Sequence, residues 1–104
     1  MAEIIWTEPA LADLDAIADF IALDKPAGAA ALVQRVFARV AHLEANPEIG
    51  SQPLELKRSR YRQIIEPPCR VFYRYDGVRV YILYVMRSEQ LFRPSRLQAR
   101  DEPD

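Results

Sequence analysis

Asp76-Gly77 stands between two runs rich in Val, Ile, Tyr and Phe, and no other feature limits the folding of this chain so sharply. Both residues tolerate the positive φ of a two-residue type I′ turn, so the stretch around them reads as a β-hairpin. With that turn, Tyr75 pairs with Val78, Tyr73 with Val80 and Val71 with Ile82. Side chains alternate along a strand. One face then carries Cys69, Val71, Tyr73, Tyr75, Val78, Val80, Ile82, Tyr84 and Met86, and it is assigned to the core. The other carries Arg70, Phe72, Arg74, Arg79, Tyr81, Leu83, Val85 and Arg87. A one-residue slip would exchange the sets and press arginines against the core. The same register sets Arg74 opposite Arg79, where like charges repel and an anionic partner would relieve them.

A further strand is expected over Tyr61–Glu66, joined to the hairpin through Pro67-Pro68. Neither proline reaches the φ of a type I′ turn, so this connection is expected to exceed two residues. That leaves the register of the strand, and the face of Arg62, open. At the N-terminus, Glu3–Thr7 is a short strand. Thr7 reads as the N-cap of a helix over about Glu8–Leu23, with Glu8 and Pro9 in its first turn. Leu11, Leu14, Ile17, Ala18 and Ile21 recur at helical spacing. Asp13, Asp15 and Asp19 point elsewhere and read as solubilising residues. Asp24 is expected to cap a second helix that begins near Pro26 and ends at Asn46-Pro47. Its stripe is Leu32, Val33, Val36, Phe37, Val40 and Leu43, and His42 reads as a surface residue near its end. After Arg87 the pattern frays. Leu91 and Phe92 are placed back against the sheet, and residues 93–104 read as a loose tail with a turn of helix at Ser95–Arg100.

These elements make one α+β domain over residues 1–104, a length at which half the residues being apolar suffices for a single modest core. The lone Cys69 excludes an intramolecular disulfide. No apolar run approaches membrane-spanning length and the N-terminus lacks a signal pattern, so a cytoplasmic protein without a membrane partner is expected. The near-neutral total hides a partition. Residues 1–56 hold three Lys/Arg against nine Asp/Glu, whereas residues 57–100 hold eleven against three. The basic half is also the half with the strands. It reads either as a solvated surface or as a face for an anionic partner, nucleic acid or acidic protein.

The chain has no glycine-rich phosphate loop, no Cys/His metal spacing, no Ser with a placed His and no nucleophile elbow. No cofactor or metal is therefore expected. What remains is arginine: Arg62, Arg70, Arg74, Arg79 and Arg87. A guanidinium binds phosphate through a planar fork and keeps its charge, but is a poor general base. Phe72 and Tyr81 between these arginines also suit base stacking in a small RNA-binding domain.

A strand ending in Trp-Thr is followed by a helix reading A-L-A-D-L-D-A-I and a second ending N-P-E-I-G. Then comes Y-R-x-I-I-x-x-x-x-R-V-F-Y-R-Y-D-G-x-x-V-Y-I-L-Y-V-M-R. This succession, over residues 3–92, resembles the RelE/ParE toxin superfamily of bacterial type II toxin–antitoxin modules. The resemblance implies a β-α-α-β-β-β fold in which a two-helix hairpin packs on a mainly antiparallel sheet. It also implies a cognate antitoxin whose C-terminal segment wraps the toxin. RelE-like members cut mRNA on the ribosome without a metal, through strand arginines and lysines and a C-terminal Tyr or His. Here Arg62, Arg70 and Arg87 match basic positions, but Ile64 stands in place of another and Phe92 near the Tyr or His. Phenylalanine transfers no proton. ParE-like members lack the nuclease set and poison DNA gyrase by binding it, causing growth arrest and, on plasmids, plasmid stabilisation. The lead expectation is thus a ParE-like gyrase poison, with Arg70, Arg74, Arg79 and Arg87 as the functional basic face. The alternative is a ribosome-dependent endoribonuclease with Arg62, Arg70 and Arg87 on the scissile phosphate.

Overall fold

The structure, a computed structural model, describes residues 1–101. The order is β1 (Glu3–Trp6), α1 (Glu8–Ala22), α2 (Pro26–Ala41), β2 (Tyr61–Glu66), β3 (Cys69–Tyr75), β4 (Arg79–Arg87) and α3 (Pro94–Arg100), with short 3₁₀ turns at His42–Glu44 and Leu54–Leu56. The strands form one sheet in the order β1-β4-β3-β2, antiparallel except where β1 runs parallel to β4. This is the α+β arrangement expected.

Thr7 starts α1 as anticipated, its Oγ1 accepting from the Ala10 N–H at 3.4 Å. It also ties the helix to the sheet, because the same hydroxyl donates to the Ile82 carbonyl at 2.6 Å. Asp24 does not cap α2. The N-cap is Lys25, with φ −136° and ψ 78° and no side-chain cap. Pro26 in the first turn disfavours helical geometry in the residue before it, so the boundary falls one residue later than the Asp suggests. The α-helical geometry of α2 stops at Ala41, and the remaining turn to Glu44 is 3₁₀. His42 is exposed there, as expected.

The helices lie on one face of the sheet. Leu14 and Ile17 of α1 and Leu32, Val36 and Val40 of α2 pack with Ile64, Val71, Tyr73, Val80, Ile82 and Val85. Apolar stripes at helical spacing meet alternate strand residues, and their removal from water drives the association.

The hairpin departs from the expected register in two ways. Asp76 N–H donates to the Arg79 carbonyl at 3.1 Å, and Tyr75 pairs with Val80. The two central turn residues are therefore Gly77 and Val78, one step beyond the expected pair. Gly77 takes the positive φ, 96°, at the first central position, where glycine is the natural choice. The Asp76 carboxylate accepts from the N–H groups of Val78 and Arg79 at 2.8 and 2.7 Å. Moving a turn by one residue moves each partner by two, so Tyr73, Tyr75, Val80 and Ile82 keep their expected face, but Val78, assigned to the core, falls in the turn itself and is 65% exposed. Arg74 now pairs with Tyr81, not Arg79.

The second departure does change faces. Tyr73 pairs with Ile82 but Phe72 pairs with Tyr84, so Leu83 is an extra residue in β4. Beyond this bulge the alternation of β4 inverts. Val85, expected outside, joins the helix-side core, whereas Tyr84 and Met86, expected inside, cross to the other face. Arg87, opposite Cys69, turns to the helix side.

The other face is buried as well at this end. Tyr61, Phe72, Leu83, Tyr84, Met86, Phe92 and Leu97 form a second apolar cluster, covered by the chain after β4. Phe92 folds back as anticipated and stacks on Phe72 at 4.4 Å, while Leu91 is exposed. Of the segment read as a loose tail, Pro94–Arg100 forms α3 with Leu97 fully buried, and residues 102–104 lie outside the described residues.

β2 and β3 are joined by Pro67 and Pro68 alone, since Glu66 already pairs with Cys69. The longer connection anticipated is not formed. The peptide between the prolines is cis, which belongs to a turn class other than type I′.

Candidate functional site

The sheet positions the five arginines on two sides. Arg70 and Arg74 in β3 and Arg79 in β4 share the face away from the α1/α2 hairpin. Arg62 pairs with Tyr73 and Arg87 with Cys69, both core residues of the helix side, and so point the other way. The expected basic face thus keeps Arg70, Arg74 and Arg79 and loses Arg87, because of the bulge at Leu83. Arg62, Arg70 and Arg87 are not brought together.

Each of these side chains has partners within the protein. Arg62 Nη1 donates to the carbonyls of Glu48 and Gly50 at 2.9 and 2.8 Å. It thereby fastens the N-P-E-I-G loop to the sheet edge. Arg70 forks onto the Glu55 carboxylate at 3.0 and 3.1 Å, and its Nε and Nη2 reach Gln63 Oε1 at 3.0 and 2.7 Å. Its guanidinium lies over Phe72 and Phe92. This charge-assisted fork is the main cause that holds the Glu55 carboxyl below its usual range. Arg87 stacks on Phe20 of α1 at 4.6 Å and approaches Glu89 at 3.3 Å. Arg79 is half exposed and pairs with Glu3 at 3.3 Å. Phe72 is fully buried and unavailable as a base-stacking platform.

Around Arg74, a member of the expected basic face, lies a cluster whose other members, Arg60, Tyr61 and Asp101, the sequence does not single out. Arg74 Nε donates to both carboxylate oxygens of Asp101, at 3.0 and 3.1 Å, while its plane covers Tyr81 at 4.5 Å. Arg60 Nη2 reaches Asp101 Oδ2 at 2.7 Å, and the Tyr61 hydroxyl donates to the same oxygen at 3.0 Å. Burial pushes the Tyr61 phenol up, so it remains a proton-bearing donor. A cleft of about 460 Å³ opens beside Asp101, lined by Thr7, Arg60, Arg74, Tyr81, Leu83 and Arg100.

Asp13, read as a solubilising residue, sits at the back of this arrangement. Its Oδ2 accepts from the Val85 N–H at 3.0 Å, just beyond the bulge and past the last β1–β4 pair. Asp13 also pairs with Arg100, whose Nη2 lies 2.9 Å from Oδ1 and whose Nη1 donates to the Leu83 carbonyl at 3.1 Å. Asp13 and Arg100 therefore satisfy backbone groups at the irregular part of β4. Sequence spacing gives no sign of the Asp13 contacts, since they join residues 72 and 87 apart.

Among the described residues, no group of three His, Cys, Asp or Glu side chains is placed to hold a metal ion. Among them also, no helix is long and apolar enough to cross a membrane. Cys69 is a buried free thiol whose pKa is raised, chiefly by burial.

A helical hairpin on a mixed four-stranded sheet is the α+β fold of ParE/RelE-like toxins. The chain belongs to the ParE toxin family of type II toxin–antitoxin systems: the family model described as "ParE toxin of type II toxin-antitoxin system, parDE" matches residues 4–92. The fold is similar to that in the chromosomal ParDE toxin–antitoxin system of P. aeruginosa, with a TM-score of 0.71 and 29% identity over 84% of this chain and 96% of that one. It is also similar to a chain of the RelBE2 toxin–antitoxin complex of Mycobacterium tuberculosis, with a TM-score of 0.55 and 24% identity over 83% and 96% of the two chains. No curated protein matches the chain.

Proposed function

We propose that this toxin is a ParE-like poison of DNA gyrase, acting by binding, trapping cleaved DNA and arresting growth until a cognate antitoxin neutralises it. The observation that carries the reading is the match to the ParE family over residues 4–92. The site geometry favours binding over catalysis. An endoribonuclease would need Arg62, Arg70 and Arg87 around one phosphate, and they lie on opposite faces of the sheet. Phe92, near the place where a proton-transferring residue is expected, is buried against Phe72. The antitoxin partner is supported by the ParDE similarity. The exposed Phe20 and Leu23 at the end of α1 suit an amphipathic segment, and the basic face favours one with acidic residues.

The test is a supercoiling assay with purified toxin, gyrase and ATP, with and without antitoxin. Loss of supercoiling with accumulation of cleaved plasmid, reversed by antitoxin, is the expected result. Unchanged gyrase activity at excess toxin would overturn the proposal.

A further inference from the structure

Three donors converge on one carboxylate at Asp101, and two of them are guanidinium groups. The Asp101 side chain is only 3% exposed, whereas Arg60 is 62% exposed, so the anion is enclosed while the cations reach solvent. A third guanidinium, Arg100, lines the same cleft. Asp101 Oδ2 alone takes contacts from Tyr61, Arg60 and Arg74. A carboxylate offers two oxygens and one charge to this set. A phosphate offers more acceptor oxygens in a tetrahedral array, and planar arginine forks match it well. Asp101 is also held on a short lever: it follows a seven-residue helix whose one buried side chain is Leu97.

We propose that the cleft lined by Arg60 and Arg74, with the Tyr61 hydroxyl reaching Asp101 from beside it, is a phosphate-binding subsite whose occupant in the free protein is the chain's own Asp101. A phosphate group enters by displacing that carboxylate and takes over the donors of Arg60, Arg74 and Tyr61. Arg100 stays on Asp13 and contributes its charge from the wall of the cleft. The ligand is a phosphate, either free or as a phosphodiester of a nucleic-acid strand. The site is distinct from Arg62 and Arg87, which point to the other side of the sheet. It goes beyond the gyrase reading and does not depend on it.

The experiment titrates inorganic phosphate, and separately tetrathymidylate, into wild-type protein and Asp101→Ala at low ionic strength. Binding is followed by the arginine Nε–H signals in NMR. Asp101→Ala is expected to bind phosphate about tenfold more tightly than wild type, because two charge-assisted donors lose their internal anion. Adding Arg74→Gln to that variant removes the gain. A gain with both probes assigns the site to a nucleic-acid backbone; a gain with inorganic phosphate alone assigns it to free phosphate. Equal affinity of Asp101→Ala and wild type for both probes overturns the proposal and leaves Asp101 as an anchor for α3. Should Asp101→Ala melt too low to titrate, Asp101→Asn keeps the shape and removes the charge. The same comparison then decides, with no gain overturning the proposal.

Discussion

Tyr73 joins Arg62 in holding the loop over residues 47–50 against the sheet. Its ring is fully buried in the helix-side core, its hydroxyl accepts from the Gly50 N–H at 2.9 Å, and it donates to the Pro47 carbonyl at 2.8 Å. Tyr73→Phe leaves both backbone groups without this partner and is expected to cost about 1–3 kcal/mol in urea unfolding. Gly50→Ala meets the same hydroxyl from the other side, since a Cβ there would lie 2.6 Å from Tyr73 Oη and 2.7 Å from the Gln63 carbonyl. It is expected to lower stability by about 1–3 kcal/mol through overpacking. Tyr73 also gives a pH signature. Burial pushes the phenol pKa above that of a free tyrosine, so the fold favours the neutral ring. This contribution is fully present below the unfolded value and is lost as pH rises through the folded one. Unfolding free energy is therefore expected to fall above about pH 10, with the Tyr73 share of that slope missing in Tyr73→Phe.

At the scale of elements, the bulge in β4 decides which residues share a surface. Leu83 inverts the alternation, and the groups it leaves irregular are held from both sides, by Asp13 of α1 and Arg100 of α3. Asp13→Ala strands the Val85 N–H and the Arg100 guanidinium, both part-buried, and is expected to cost about 1–3 kcal/mol in chemical unfolding, with Asp13→Asn milder. Leu97 is the fully buried side chain of α3, and Leu97→Ala is expected to cost about 2–5 kcal/mol through transfer and cavity effects. The same change should speed amide exchange in residues 94–100 ahead of the β3–β4 core, measured by hydrogen exchange.

For the whole molecule, the charge partition seen along the chain becomes a partition in space. The acidic half contributes α1 and α2, and most of the basic half is strand and C-terminal helix. Much of the basic charge is spent internally, on Glu55, Asp101, Asp13 and loop carbonyls. Arg60 and Arg79 remain the more exposed members of the strand-side face. An antitoxin carrying an acidic segment is expected to bind with an affinity that falls as salt rises, because exposed charges are screened within roughly 8–10 Å at 0.1–0.15 M. Titration at two salt concentrations checks this, and a flat response would assign the interface to the apolar surface near Phe20 and Leu23.

What the sequence determined by itself is the set of elements and most of their inner faces. Helical spacing at Leu14, Ile17, Leu32, Val36 and Val40 and alternation at Val71, Tyr73, Val80 and Ile82 place those residues in the core, because both are local periodicities. The succession of motifs over residues 3–92 was also enough to reach the toxin superfamily. What only the tertiary structure decided are the two places where a local rule is broken. Asp76-Gly77 marks a turn but does not say which two residues occupy its centre, and nothing in V-Y-I-L-Y-V-M-R announces that Leu83 is the extra residue. From that residue onward the faces follow the bulge rather than the alternation. Arg87 therefore leaves the basic face, and Tyr84 and Met86 cover its far end. The clamp on Asp101 lies further still from sequence reading. It joins Arg60, β2, β3 and the end of α3 across separations of 27 to 41 residues, where only packing sets the distances.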